Sequence, residues 1–241
     1  MPTLRSLRNW RLALGLLLLG LSLTATAAPF FKPFSARFSV SRGSFRLGDL
    51  EVKLSLAAPD TYLYHAKTIP GLLARLFTGD EIIEESSGRL TPKAVIPQHY
   101  SLHQKGNEAE QTEIAFDWRD DEAQTTSEGV TWSQQIVAGT QDRLSQQLMV
   151  RLHLAQGFKD MNYPVADGGK IKRYRFQVVG EESVKTPYGN LRCLKVQRSK
   201  MKRPPDYTIW FAPDLDYLPV RIERKQKSGT YRMSLEKLDG I

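Results

Sequence analysis

The sequence predicts a mainly β protein: a strongly curved antiparallel meander forming an incomplete or open barrel, with one longer helix over about 142–156 and a short apolar helix over about 69–77. Three observations carry this. Apolar and polar residues alternate with period two along most of the chain beyond residue 30, giving each strand one dry and one wet face. That is the pattern of antiparallel sheet and not of the doubly buried strands of a parallel core. Clusters of turn-forming residues interrupt the runs at short intervals, and two segments alone switch to helical spacing.

Taken in order, Phe34, Ala36, Phe38 and Val40 alternate with Ser35, Arg37, Ser39 and Ser41, and Leu50, Val52, Leu54 and Leu56 alternate with Glu51, Lys53 and Ser55. The runs Ile114-x-Phe116-x-Trp118, Tyr174-x-Phe176-x-Val178, Val220-x-Ile222 and Tyr231-x-Met233-x-Leu235 repeat the pattern, with Arg173, Arg175, Gln177, Arg221, Glu223, Arg232 and Ser234 on the wet faces. Turns are expected at Leu47-Gly48-Asp49, Ala58-Pro59-Asp60, Arg119-Asp120-Asp121, Asp167-Gly168-Gly169, Pro187-Tyr188-Gly189-Asn190 and Lys227-Ser228-Gly229. About ten strands result, too many one-sided strands to stay flat.

The first exception is Ile69 to Phe77, with Leu72, Leu73, Leu76 and Phe77 at helical spacing and Gly79 as a stop. The second starts at Asp142 and carries Leu144, Leu148, Met149, Leu152 and Ala155 on one face, with Gln146, Gln147 and Arg151 opposite and Gly157 following. This helix is expected to pack across the concave side of the sheet.

Ahead of the alternation, Arg5, Arg8 and Arg11 precede the uncharged run Leu12–Leu23, and Ala25 and Ala27 supply small residues before a cleavage point. This is the pattern of a secretory signal peptide over 1–27, leaving a single β-rich domain over 28–241. The run is shorter than the roughly 20 apolar residues of a spanning helix. The residue directly after the cleavage point is Ala28 and not a cysteine, so a periplasmic protein without a lipid anchor is expected. The formal charge of +8 loses three arginines with the leader and becomes +5.

That charge removal weakens a nucleic-acid reading. The basic clusters at Lys170–Arg175, Lys200–Arg203 and Arg221–Lys227 alternate as strand faces, with Tyr174 and Phe176 opposite Arg173 and Arg175, so no single stacking surface forms. Attraction to an anionic membrane surface is the better expectation. The lone Cys193 sits in a strand pattern and reads as a small core residue.

The composition, 41% hydrophobic and 25% charged, excludes disorder and a disulfide scaffold. Motifs for acyl-transfer, phosphate or dinucleotide chemistry are missing from the sequence. His99 and His103 lie on one strand, roughly 13 Å apart by strand rise, too far to share an ion. The acidic groups at Asp80–Glu85 and Asp120–Glu122 lack calcium-loop spacing. The expectation is no catalytic residue, no metal and no cofactor. Trp118, Trp132, Trp210, Tyr62, Tyr64, Phe116 and Phe211 fall within predicted strands as core or cavity-lining residues.

Three ordered stretches carry a resemblance: Gln141-Asp142-Arg143-Leu144-Ser145; Val178 to Gly189, including Gly180, Glu182, Val184, Thr186 and Pro187; and Ile209-Trp210-Phe211-Ala212-Pro213-Asp214 running to Leu218-Pro219-Val220-Arg221-Ile222. Over residues 34–238 the chain resembles the exported bacterial family catalogued as domain of unknown function 3108. The resemblance implies no activity. Its motif positions Asp142, Pro187, Gly189, Asp214, Pro219 and Arg221 fit a helix start, a hairpin turn and a strand connection. More loosely, the pattern is similar to periplasmic lipoprotein and lipid carriers, whose incomplete barrels hold acyl chains beneath a helical lid.

These readings combine into one expectation: an exported protein holding a lipid or other apolar or amphipathic envelope ligand on its concave face. Leu72, Leu73, Leu76, Phe77, Trp132 and Trp210 are expected as the lining. The alternatives are a non-enzymatic interaction module of the envelope, and an envelope-polymer hydrolase using Asp142 with Asp214.

Overall fold

The structure, a computed structural model, describes residues 30–71, 81–105, 110–200, 204–227 and 229–241. Within them the first half of the chain forms β1 (Phe34–Arg42), β2 (Phe45–Ala58), β3 (Thr61–Pro70), β4 (Ile82–Leu90), β5 (Val95–Gln104), β6 (Glu110–Asp117), β7 (Glu122–Ser127) and β8 (Val130–Gln135). After helix α1 (Ser145–Ala155) come β9 (Asp160–Ala166), β10 (Ile171–Lys185), β11 (Asn190–Lys200), β12 (Pro205–Ala212), β13 (Leu218–Gln226) and β14 (Gly229–Asp239).

The fourteen described strands form one antiparallel sheet, β8-β7-β6-β5-β4-β3-β2-β1-β14-β13-β12-β11-β10-β9. The first eight are a meander, the last six a second meander, and β1 pairing with β14 joins them. This sheet is not closed: β8 and β9 are its edges. Antiparallel pairing throughout puts the β1–β2, β3–β4, β5–β6, β7–β8, β9–β10, β11–β12 and β13–β14 connections at one end, here the upper end.

The chain between the two edges pairs with part of the β9 edge. Gln141 forms an isolated parallel bridge with Val165 of β9, its N–H donating to Pro164 O (2.9 Å) and its carbonyl accepting from Ala166 N–H (2.8 Å). Trp132 of β8 stands over Gly169 in the β9–β10 turn, where a Cβ would lie 2.4 Å from the indole. Glycine is needed there to let the tryptophan cross the seam. Covering an edge in this way removes unpaired backbone groups that would otherwise template aggregation.

Helix α1 runs inside the curl of the sheet against β5 and β9. Its Leu148, Val150, Leu152 and Leu154 meet Leu54, Tyr62, Tyr64, Ile114 and Phe176 in one core. The expected helix is found three residues shorter at its start, because Asp142, Arg143 and Leu144 precede it. Its expected polar face is not solvated: Gln146 and Arg151 are buried, whereas Ala155 is exposed. A sheet wrapped around a helix encloses all sides of its middle turns, so helical periodicity no longer separates wet from dry.

Other expectations need correcting. Ile69 and Pro70 belong to β3, and Leu72 to Phe77 lie outside the described residues. The Leu47-Gly48-Asp49 turn is interior to β2. Gly48 permits a close strand approach, since a Cβ there would meet Ile69 O at 2.2 Å. Trp118 lies just past the end of β6. The expected turns at 59–60, 119–121, 167–169 and 187–189 are present, and Cys193 is buried.

Candidate functional site

Between the start of α1 and the concave faces of β2, β3 and β10–β14 lies a cavity of about 490 Å³. Its floor is Leu50, Val52, Ala66, Leu144, Val150, Phe176, Ile209 and Phe211, with Pro219, Ile222 and Met233 beside them. Most of the floor is buried, while its charged members, Glu84, Arg143, Asp167, Lys172, Arg198, Lys200, Asp206 and Arg224, are half-buried or exposed. The space thus grades from apolar to charged. Five cations against three carboxylates leave the polar part net positive.

Local pairing positions these groups. Arg198 pairs with Asp206 through two hydrogen bonds (3.2 and 2.9 Å) and lies 4.0 Å from the Tyr207 ring centroid and 4.5 Å from that of Tyr174. Sandwiching between two rings fixes the planar guanidinium. Lys172 reaches Asp167 at 2.8 Å, and the Tyr174 hydroxyl donates to the same carboxylate at 3.2 Å. Burial pushes the Asp167 carboxyl up, but Lys172 and Arg143 outweigh it and hold the group below its usual range. Burial and the Asp167 charge push the Tyr174 phenol up to about 12, so it remains a donor at neutral pH. Arg143 pairs with Glu84 at 2.9 Å, and Tyr100 donates to that carboxylate at 2.9 Å. Lys200 and Arg224 form no ion pair among the described residues.

Neither tryptophan expected to line the site does so. Trp132 covers the seam, as above. Tyr207, Ile209 and Phe211 of β12 face the cavity, which turns Trp210 to the convex side. There its Nε1 donates to Glu182 Oε1 (2.5 Å), and Lys195 and Arg221 lie 5.5 and 5.8 Å from its ring. Trp210 and Arg221 are register partners on β12 and β13. Of the four apolar residues expected as the remaining lining, Leu72, Leu73, Leu76 and Phe77, all lie outside the described residues.

The family-motif positions have structural work to do. Asp142 is fully buried, its Oδ1 accepting from Leu144 and Ser145 N–H (both 2.7 Å) and its Oδ2 from Ser86 Oγ (2.7 Å). Ser145 Oγ in turn accepts from Asp142 N–H (2.8 Å), a reciprocal arrangement akin to a capping box. Tyr62 extends this network through Ser86 at 3.0 Å. Pro187 and Gly189 shape the β10–β11 turn, where Thr186 Oγ1 donates to Gly189 O at 3.0 Å. Arg221 donates to Lys185 O, and Pro219 borders the cavity. Asp214 is exposed in a 3-10 turn over Pro213–Leu215. Asp142 and Asp214 share no cavity, so the carboxylate pair of the hydrolase alternative does not assemble.

The residues missed by sequence reasoning are Tyr174, Arg198, Lys200, Tyr207 and Arg224. One signal was present: Lys172, Tyr174 and Phe176 share parity, which sets a cation beside aromatics on one face. Among the described residues no group of three or more His, Cys, Asp or Glu is placed to hold a metal.

An open, curved antiparallel barrel around a central helix, with a cavity on its concave face, defines the class of protein. The family described as "Protein of unknown function (DUF3108)" matches residues 37–236, and the chain belongs to it. No curated protein matches. Among solved structures, the chain is similar to a β-barrel-like protein of domain of unknown function DUF1849 from Brucella abortus, at 10% identity and TM-score 0.59, over 87% of this chain and 98% of that one. A DUF1329 family protein from Desulfovibrio piger also matches, at 12% identity and TM-score 0.25, over 87% of this chain and 85% of that one.

Proposed function

We propose that this protein is exported and binds an amphipathic envelope molecule, with the apolar part of the ligand in the concave cavity and an anionic group at its charged side. The carrying observation is the cavity's grading from Val52, Ile209 and Phe211 to Lys200 and Arg224. Its volume falls within the roughly 300–1,000 Å³ of small-molecule sites, which combine an apolar lining with a few polar groups that orient the ligand. An acyl chain with a carboxylate or phosphate head matches both parts.

Titration with a fluorescent 16-carbon fatty acid tests this, together with native mass spectrometry of protein recovered from the periplasm. Saturable binding displaced by palmitate is expected. Ile209→Trp, which fills the buried floor, is expected to weaken it at least about tenfold, equivalent to about 1.4 kcal/mol. An unliganded mass with no saturable fluorescence change overturns the proposal.

A further inference from the structure

Cross-strand partners share a face, so the sheet register itself shows what rims the upper end of the concave surface. Phe45 pairs with Arg42, Arg42 with Tyr231, Tyr231 with Arg224, Arg224 with Tyr207 and Tyr207 with Arg198. One row across six adjacent strands therefore alternates aromatic and guanidinium groups. Arg198 and Arg224 lie 4.0 and 5.3 Å from the Tyr207 ring. At the start of the row Phe45 is 70% exposed, beside the β1–β2 turn.

The turns flanking this row add positive charge. Lys225 and Lys227 stand in or beside the β13–β14 turn, Lys170 in the β9–β10 turn, and Lys200 at the end of β11. The acids nearby are already engaged: Asp167 by Lys172, Asp206 by Arg198, Asp49 by Arg37 and Arg46, and Glu236 by Arg46. Arg42, Lys170, Lys200, Arg224, Lys225 and Lys227, by contrast, form no ion pair among the described residues. Elsewhere on the upper end Glu110 and Glu128 stand at the β5–β6 and β7–β8 connections, and Lys67 and Lys105 are themselves engaged by Glu81.

We infer that this arc, from β2 through β1 and β14 to β10, docks the protein on an anionic lipid bilayer, with the aromatic–arginine row at the headgroup level and Phe45 inserted. Two properties favour a bilayer over another polyanion. Amphipathic rings and long cationic stems with apolar shafts partition to the membrane–water interface. The row also borders the cavity, sharing Arg198, Tyr207 and Arg224 with its lining, so docking sets that lining against lipid. The docking does not depend on the cavity being filled and is tested apart from it.

The experiment is co-sedimentation with vesicles of phosphatidylcholine alone or mixed equally with phosphatidylglycerol. Each cation near an anionic surface contributes roughly fivefold to partitioning. Lys225→Glu/Lys227→Glu is therefore expected to weaken binding to the mixed vesicles at least about 25-fold. Phe45→Ser is expected to weaken it as well, and raising the salt concentration to lower it. The charge-matched control Lys93→Glu/Lys185→Glu, at exposed positions of the lower end, is expected to change it less than about threefold. Equal loss in both charge variants, or binding indifferent to phosphatidylglycerol, overturns the docking. So does tighter binding to a single-stranded oligonucleotide that Phe45→Ser leaves unchanged. Fatty-acid titration of the same variants without vesicles separates the two proposals: retained ligand binding with lost docking leaves the cavity's function standing.

Discussion

Asp142→Ala is expected to lower the unfolding free energy by about 2–4 kcal/mol, measured by denaturant unfolding. The substitution strips acceptors from Leu144 N–H, Ser145 N–H and Ser86 Oγ in a site closed to water. Losing a helix-start acceptor costs about 1 kcal/mol, and each buried donor left without a partner about 1–3. Asp142→Asn separates hydrogen bonding from charge, since its amide oxygen still accepts from the two backbone groups. Burial pushes the Asp142 carboxyl up to about 6, against its hydrogen bonds from Ser145, Ser86 and Leu144. An unfolded aspartate titrates near 3.9. Between those values the folded chain holds a proton that the unfolded chain has released, so this residue makes stability rise as pH falls from 7 towards 4. A difference of two pH units is worth about 3 kcal/mol. Asp142→Asn is expected to remove that slope, and unfolding curves at pH 4.5 and 7.5 read it directly. A slope retained in the asparagine variant counts against the assignment.

The second large effect is expected at Arg151, which is 1% exposed in the middle of α1. Its Nε donates to Asp216 O at 3.1 Å, and its guanidinium lies 5.3 and 5.0 Å from the rings of Phe31 and Phe34. Both terminal nitrogens lack a hydrogen-bond partner among the described residues. Burial lowers its pKa to about 10, although Tyr64 and Asp216 act the other way. Truncation and charge removal should therefore have opposite signs. Arg151→Ala leaves a void between two phenylalanines and is expected to cost about 2–4 kcal/mol. Arg151→Met keeps the long apolar shaft and removes the buried charge, and is expected to match or exceed the wild-type stability, because replacing buried charge by apolar volume is neutral to stabilising by about 1–4 kcal/mol. Equal losses in the two variants would show that the guanidinium itself holds the helix in place.

Both positions show where periodicity stopped being informative. The alternation from Phe34 to Val40 and from Tyr174 to Val178 was legible because strand period is a local property, written in consecutive residues. The same holds for the turns at Pro59-Asp60 and Pro187–Gly189. Gly48 reads as a turn only because a glycine's local signal is the same whether it bends the chain or lets a carbonyl pass close by. The polar stripe of α1 also reads as a wet face, and only a sheet closing around the helix makes Gln146 and Arg151 interior.

The cavity was less legible, for a geometric reason. Alternation says that Trp210 and Ile209 point oppositely, but which side is concave depends on how fourteen strands curl. Bulges then change the parity. Pairing shifts between Trp210 and Phe211, and in β13 Pro219, Ile222 and Arg224 all border the cavity although Pro219 differs in parity from the other two. By itself the sequence determined the antiparallel class, most of the turns, the presence of a helix shortly after Asp142 and the family, all carried by short-range pattern. Only the tertiary structure decided that Arg198, Tyr207 and Arg224 stand in one row, because strands distant in sequence acquire a common face only through their register.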